Sequence, residues 1–299
     1  MKTYNKYIAL AAMALSFAAC EQEDFTPAME GDAVKINATI GALQTRVAYG
    51  NKGETIFEAG DQIRVQNLSR ETKNIATYTL DDNKSWTITG NLVWNSGTDA
   101  NNQFQAWYPA TATFTTFELP TDQSDATQLG AADWMTVQTK AMAKPDDAKL
   151  NLDFEHRLVK VTVKIIEWND QYNNKKYPVT NPIIYSKGNS ASYDENSTTV
   201  TASGTLTDIT AFEVVDDESY TAIVVPGKYE STDTFMTFTV ASSINATVLA
   251  NTTLTGGLVS GKHYTFNLTV GKEKVKISSV SVTPWAEKDI DAGVVESEE

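Results

Sequence analysis

Apolar and polar residues alternate along most of the chain. "VKINATI" sets Val34, Ile36, Ala38 and Ile40 on one face of an extended segment. "FQAWYP" does the same with Phe104, Ala106 and Tyr108 before Pro109 ends the run. "MTFTV" aligns Met236, Phe238 and Val240, and "YTFNLTV" aligns Tyr264, Phe266, Leu268 and Val270. A period of two sends alternate side chains to opposite faces of a strand, so each stretch is predicted to be a half-buried strand. Turn formers separate the stretches, at Gly60–Asp61, Asp81–Lys84, Asn95–Asn102, Pro226–Gly227 and Gly256–Gly257. Helical periodicity is nearly absent. Many short strands joined by polar turns predict an all-β sandwich or barrel.

One stretch changes phase. In "LNLDFEHRLVKVTVKI" the apolar set is Leu150, Leu152, Phe154 and Leu158, and then Val159, Val161, Val163 and Ile165. A slip of one residue turns side chains to the opposite face, so a bulge at Leu158–Val159 or a strand crossing between sheets is predicted there. His156 falls on the first apolar face and reads as a core histidine rather than a catalytic base. "VKISSVSV" slips in the same way, from Val275 and Ile277 to Val280 and Val282. The polar run Gln138–Lys149 is the best linker, with a boundary near Pro145. It divides the chain into an N-terminal sandwich over 31–145 and a C-terminal sandwich with a tail over 146–299.

The first 19 residues break the alternation. Lys2 and Lys6 are followed by the apolar run Tyr7–Phe17 and by the small residues Ala18 and Ala19. That order is the layout of a secretory signal peptide over 1–19. The run is shorter than the roughly 20 apolar residues that span a bilayer. Cys20 follows at once and is the sole cysteine of 299 residues. The arrangement resembles the lipobox of bacterial lipoproteins, in which the cysteine is acylated and becomes the first residue; Phe17 stands where leucine is usual. Lipidation at Cys20 is therefore expected, with residues 20–30 as a lipidated tether. The alternative is an ordinary signal peptide followed by a free thiol, a liability in an oxidising compartment.

Charge and chemistry narrow the function further. Loss of Lys2 and Lys6 with the signal lowers the net charge from −14 to −16, which argues against nucleic acid and anionic membrane surfaces as partners. His156 and His263 are far apart in sequence, and there is no cysteine pair, H-E-x-x-H, P-loop or G-x-S-x-G elbow. "DENSTTVTASGT" opens like a calcium loop at Asp194 and Asn196 but lacks its turn glycine and closing carboxylate. No metal, no cofactor and no catalytic residue is expected, and the chain is read as not an enzyme. The six tryptophans read mainly as core; Trp107, out of phase with its neighbours, is the best candidate for exposure and for stacking on a sugar ring.

Several pieces taken together resemble the fimbrillin family of Bacteroidetes, the Mfa-like and FimA-like pilus subunits. They are Cys20 with its signal, Thr45–Val47, "FEAGDQIRV" at Phe57–Val65, "FQAWYP" and "LDFEHRLVKVTVKI" at Leu152–Ile165. "YTAIVVPG" at Tyr220–Gly227, "LVSGKHYTFNLTV" at Leu258–Val270 and "VTPW" at Val282–Trp285 complete them. The resemblance implies two tandem transthyretin-like β-sandwich domains. It implies a shaft, anchor or tip subunit of a surface fimbrium serving adhesion and biofilm formation, lipid-anchored at the outer membrane. The acidic "EQED" behind Cys20 resembles a signal for surface export in lipoproteins of that group. The resemblance further implies that a trypsin-like, arginine-specific protease cuts near the N-terminus and frees the first strand. Other fimbrial subunits then fill the empty groove by β-strand exchange. Arg46 fits the processing position, since the other three arginines (Arg64, Arg70, Arg157) lie further in, and the strand it would release is "VKINATI".

The donor end departs from this pattern. Ile290, Ala292 and Val294 alternate weakly around Gly293 in an acidic tail, a poor strand, which leaves shaft, anchor and tip roles open. A different class of function also stays open: a surface lipoprotein that does not polymerise and binds glycans through exposed aromatics.

Overall fold

The computed structural model describes residues 33–41, 57–95, 101–203, 205–250, 254 and 256–285. In the first half the strands are β1 (Lys35–Ile40), β2 (Gln62–Asn67), β3 (Asn74–Leu80), β4 (Trp86–Leu92), β5 (Phe104–Tyr108), β6 (Thr116–Glu118), β7 (Met135–Gln138) and β8 (Lys149–His156). There follow β9 (Val159–Trp168), β10 (Val179–Ser186), β11 (Ser190–Asp194), β12 (Thr199–Ala202), β13 (Thr207–Thr210) and β14 (Phe212–Val215). The last are β15 (Ser219–Val224), β16 (Thr234–Val240), β17 (Ile244–Leu249), β18 (Lys262–Val270) and β19 (Val275–Pro284). Among the described residues the helical content is α1 (Ala126–Ala131), capped by the Asp125 carboxylate on Gln128 N, and a short 3-10 turn at Asp170–Tyr172. None of these helices is long and apolar enough to cross a membrane.

The strands form four sheets. Seven lie in the order β1-β8-β7-β5-β2-β3-β4. This sheet curls until its two edges touch at one end, where Ala33 bridges Val93 and Val34 N donates to Leu92 O at 3.1 Å. The curl encloses the smaller core, built by the inward residues of each alternating stretch: Ile63, Val65, Tyr78, Phe104, Leu152 and Phe154. A five-stranded sheet, β14-β15-β9-β18-β19, and a four-stranded sheet, β13-β10-β16-β17, share the larger core. Between them the rings of Phe235 on β16 and Phe266 on β18 lie 4.6 Å apart. Two sheets packed on one apolar layer form a β-sandwich. The small sheet β12-β11-β6 joins the halves, because β6 comes from the first half of the chain. Phe114, Phe117, Leu129 and Trp134, from the same excursion, pack in the larger core.

The phase change at Leu158 is a strand crossing. β8 ends at His156 in the seven-stranded sheet, and β9 begins at Val159 in the five-stranded one. Phe154 is in the smaller core and Leu158 in the larger, so the core changes across His156 and Arg157. The slip in "VKISSVSV" is a bulge: Asn267 pairs with Ser279 and Leu268 with Ile277, which leaves Ser278 as the extra residue. The polar run around Pro145 connects β7 to β8, two neighbours in one sheet, and closes a turn through Ala148 N to Pro145 O at 2.9 Å.

Candidate functional site

β1 is an edge strand whose inner face is apolar. It runs parallel to β8, in register from Lys35 opposite Lys149 to Ile40 opposite Phe154. Lys35 N donates to Ala148 O at 3.0 Å and Gly41 N to Phe154 O at 2.9 Å, which fixes both ends of the ladder. Val34 and Ile36 are 2% and 8% exposed, while Ala38 and Ile40 are half-buried. Beside them on β8, paired with Ile36, Ala38 and Ile40, lie Leu150, Leu152 and Phe154, essentially without exposure. Burying Val34 and Ile36 contributes about 3–6 kcal/mol together, at roughly 1.5–3 kcal/mol each. Outward, Asn37 Nδ2 donates to Asn151 Oδ1 and Thr39 Oγ1 to Asp153 Oδ1, both at 3.3 Å. These exposed bonds set register more than stability.

The attachment of β1 is one-sided. Beyond the bridge at Ala33 and the Val34 bond, no strand of the described residues pairs with its other flank. β8 depends on β1 in turn. Its other neighbour, β7, pairs with only two of its residues, Met135 opposite His156 and Thr136 opposite Glu155. Without β1, the backbone of β8 from Lys149 to Phe154 would have no ladder partner among the described residues, and its apolar face would meet water.

Tyr78, on β3, reaches across the barrel-like interior and donates its hydroxyl to Val34 O at 2.7 Å. Burial pushes that hydroxyl far above the usual tyrosine range, so it keeps its proton and stays a donor.

Beyond the end of β1 is a cleft of about 520 Å³, with Ile40, Phe57, Asp61, Tyr108 and Asp133 in its walls. Phe57 stands edge-on to Trp86, Tyr108 and Phe154 at 5.3–5.6 Å and fills the space between them. Tyr108 OH donates to Asp61 Oδ1 at 3.1 Å. Burial raises the Asp61 carboxyl, and the charges of Glu58 and Asp133 add to that, against the hydrogen bonds from Glu58 N and Tyr108. Asp133 is fully buried and lies 2.7 Å from His156 Nδ1. The His156 ring stacks on Trp285, with centroids 4.0 Å apart and planes 6° apart. Among the described residues, His156 Nε2 and Trp285 Nε1 are both buried without a hydrogen-bond partner.

The two residues singled out from sequence, Cys20 and Arg46, lie outside the described residues. Trp107, expected to be exposed, is buried: its Nε1 donates to Ala112 O at 2.9 Å, and it belongs to the larger core. Its phase led to the opposite expectation because β5 is covered on both faces, by the smaller core and by the loop after Pro109. Trp94, Trp134, Trp168 and Trp285 are also buried, and Trp86 is half-buried. His156 is the core histidine expected. Asp194 closes a turn, accepting from Asn196 N at 3.0 Å and Ser197 Oγ at 2.8 Å. Among the described residues no group of three or more histidine, cysteine or acidic side chains could hold a metal ion. Sequence reasoning missed Tyr78, whose inward phase was visible but whose partner 44 residues away was not. It also missed the meeting of Asp133, His156 and Trp285, which come from three separate segments.

A family model described as fimbrillin-like matches residues 45–285. Among solved structures, a candidate cell adhesion protein from Bacteroides uniformis aligns with a TM-score of 0.63 at 23% identity, covering 85% of this chain and 97% of that one. A second candidate cell adhesion protein, from Bacteroides ovatus, aligns with a TM-score of 0.58 at 15% identity, covering 86% and 97%. At these identities the likeness is one of fold. A search of curated proteins finds no match.

Proposed function

Given that the chain belongs to the fimbrillin-like family of structural pilus proteins, we propose that it is a structural or adhesive subunit of a surface fimbrium assembled by protease-triggered strand exchange. In this reading Cys20 carries a lipid anchor to the outer membrane. An arginine-specific protease cuts after Arg46, which leaves β1 bound to the body of the subunit by noncovalent contacts alone. A strand from another subunit then replaces β1 beside β8. In this reading the smaller and larger cores belong to two transthyretin-like domains in series. The position in the fibre, as shaft, anchor or tip, follows from what the segment after Trp285 can donate.

The observation that carries the proposal is the one-sided seat of β1. The strand is paired along one edge, its apolar face closes the smaller core, and among the described residues β8 has ladder pairs beyond β1 only at Glu155 and His156. An incoming strand would restore both the ladder and the apolar cover, which is recognition by β-augmentation. The glycan-binding alternative loses its main support, because none of the six tryptophans is exposed.

The test is limited digestion with an arginine-specific protease, followed by size-exclusion chromatography with light scattering. Intact protein is expected to remain monomeric. Cut protein should associate with itself or with a co-purified subunit, and Arg46→Ala should prevent the change while leaving the fold intact. Cut protein that stays monomeric and takes up no strand contradicts the proposal.

A further inference from the structure

The seat of β1 and the end of β19 meet at one buried cluster. Ile40, the last residue of β1, and Asp133 share the wall of the cleft. Asp133 holds His156 at the end of β8, and His156 stacks on Trp285, directly after β19. Backbone bonds tie the same region together: Trp285 N donates to Gly261 O at 3.0 Å, and Gly261 N to Leu158 O at 2.8 Å.

We infer that Asp133, His156 and Trp285 form a latch that couples the presence of β1 to the docking of the β19 end. The inference rests on the reading that β1 is the strand that leaves. Two physical links carry it. First, removal of Ile40 takes away part of the cleft wall and admits water to Asp133, whose bond to His156 is strong only while the site is dry. Second, removal of β1 strips β8 of its ladder from Lys149 to Phe154, which leaves the strand that carries His156 held through its last two residues, Glu155 and His156, on β7. The docked state also leaves His156 Nε2 and Trp285 Nε1 buried without partners among the described residues. Water would satisfy both nitrogens once the stack opens, so opening recovers a cost that the closed state bears. The latch is closed while β1 is seated and loosens when β1 goes, which frees the end of β19 at the stage when a neighbour can be engaged.

Coupling between two sites is reciprocal, which makes the latch testable from either end. Amide hydrogen exchange of the full chain, read by mass spectrometry, reports on segments 35–40 and 275–285 separately, with β16 as the fold control. Ile36→Asp should speed exchange in 35–40 and, through the latch, in 275–285. Trp285→Ala should speed exchange in 275–285 and, reciprocally, in 35–40, by roughly tenfold, a usual size for such coupling. Trp285→Phe, which keeps a stacked ring, should leave 35–40 near the unmodified rate. If Trp285→Ala also loses protection in β16, Asp133→Asn supplies the same test from the other end of the stack and should loosen both segments. Unchanged exchange in 35–40 for a folded Trp285→Ala or Asp133→Asn overturns the latch. So does Ile36→Asp that loosens 35–40 and leaves 275–285 protected, an outcome that spares the removable-strand reading. Ile36→Asp that fails to loosen 35–40 overturns both.

Discussion

The hydroxyl of Tyr78 donates a 2.7 Å hydrogen bond to the carbonyl of Val34. One residue before β1 is thereby fastened from the opposite wall of the smaller core. The bond adds an anchor at the start of the strand, where the Leu92 carbonyl also receives Val34 N. The far end, at Ile40, borders the cleft and has no such fastening from β4 among the described residues. β1 is therefore held most firmly at its beginning, and its separation is expected to start from the Ile40 end.

Tyr78→Phe should cost about 1–3 kcal/mol, because it removes a buried bond and leaves the Val34 carbonyl without that partner. Urea unfolding should show a lower midpoint with an unchanged slope, the mark of lost stability without a change in compactness. Exchange in 35–40 should rise more than exchange in β16. A variant as stable as the parent would show that the bond does not anchor β1.

Acid should destabilise the five-stranded sheet through His263. Burial, then the positive charges of Lys160 and Lys164, lower its imidazole from 6.5 to about 3. The unfolded chain takes up a proton below the ordinary value, while the native chain resists until much lower pH. The contribution is thus full above about pH 6.5 and falls away as the pH drops toward the native value, by up to about 1.4 kcal/mol per unit. His263 Nε2 lies 2.9 Å from Thr162 Oγ1. His263→Gln keeps a polar partner there but cannot titrate, so urea unfolding at neutral pH and at about pH 5 should show a flatter acid slope. An unchanged slope would assign the acid sensitivity to other groups.

The strands were legible because period-two alternation survives wherever one face is buried and the other wet. "VKINATI", "YTFNLTV" and "MTFTV" all form strands in the phase read from sequence. The slip at Leu158 was legible as well, since a change of phase needs a crossing or a bulge. The role of Pro145 was not. A polar run joining two strands of one sheet looks the same as one joining two domains, and the difference lies in which strand β8 pairs with. Trp107 misled because β5 is covered on both faces, and alternation carries information only where one face is wet. The Asp133–His156–Trp285 stack left no trace in sequence spacing, since its three parts meet only once β7, β8 and β19 are in place.

Cys20→Ala should abolish acylation and shift the protein from the membrane fraction to the soluble one. Each acyl methylene buried in the bilayer contributes about 0.8 kcal/mol, so loss of the chains removes the hold they provide. Fatty-acid labelling with fractionation reads both effects. Membrane retention by an unacylated variant would contradict the anchor.

Exchange of β1 itself tests the central claim most directly. Protein cut after Arg46 would be mixed with a fluorescent peptide of the sequence from Ala33 to Gly41, and uptake followed by anisotropy. The expected result is stable uptake by cut protein, none by intact protein, and none of a peptide carrying aspartate at the Ile36 position, because that residue must enter the dry face beside Leu150 and Leu152. Cut protein that keeps its own strand and ignores the peptide under these conditions would contradict the account of β1 as a replaceable strand.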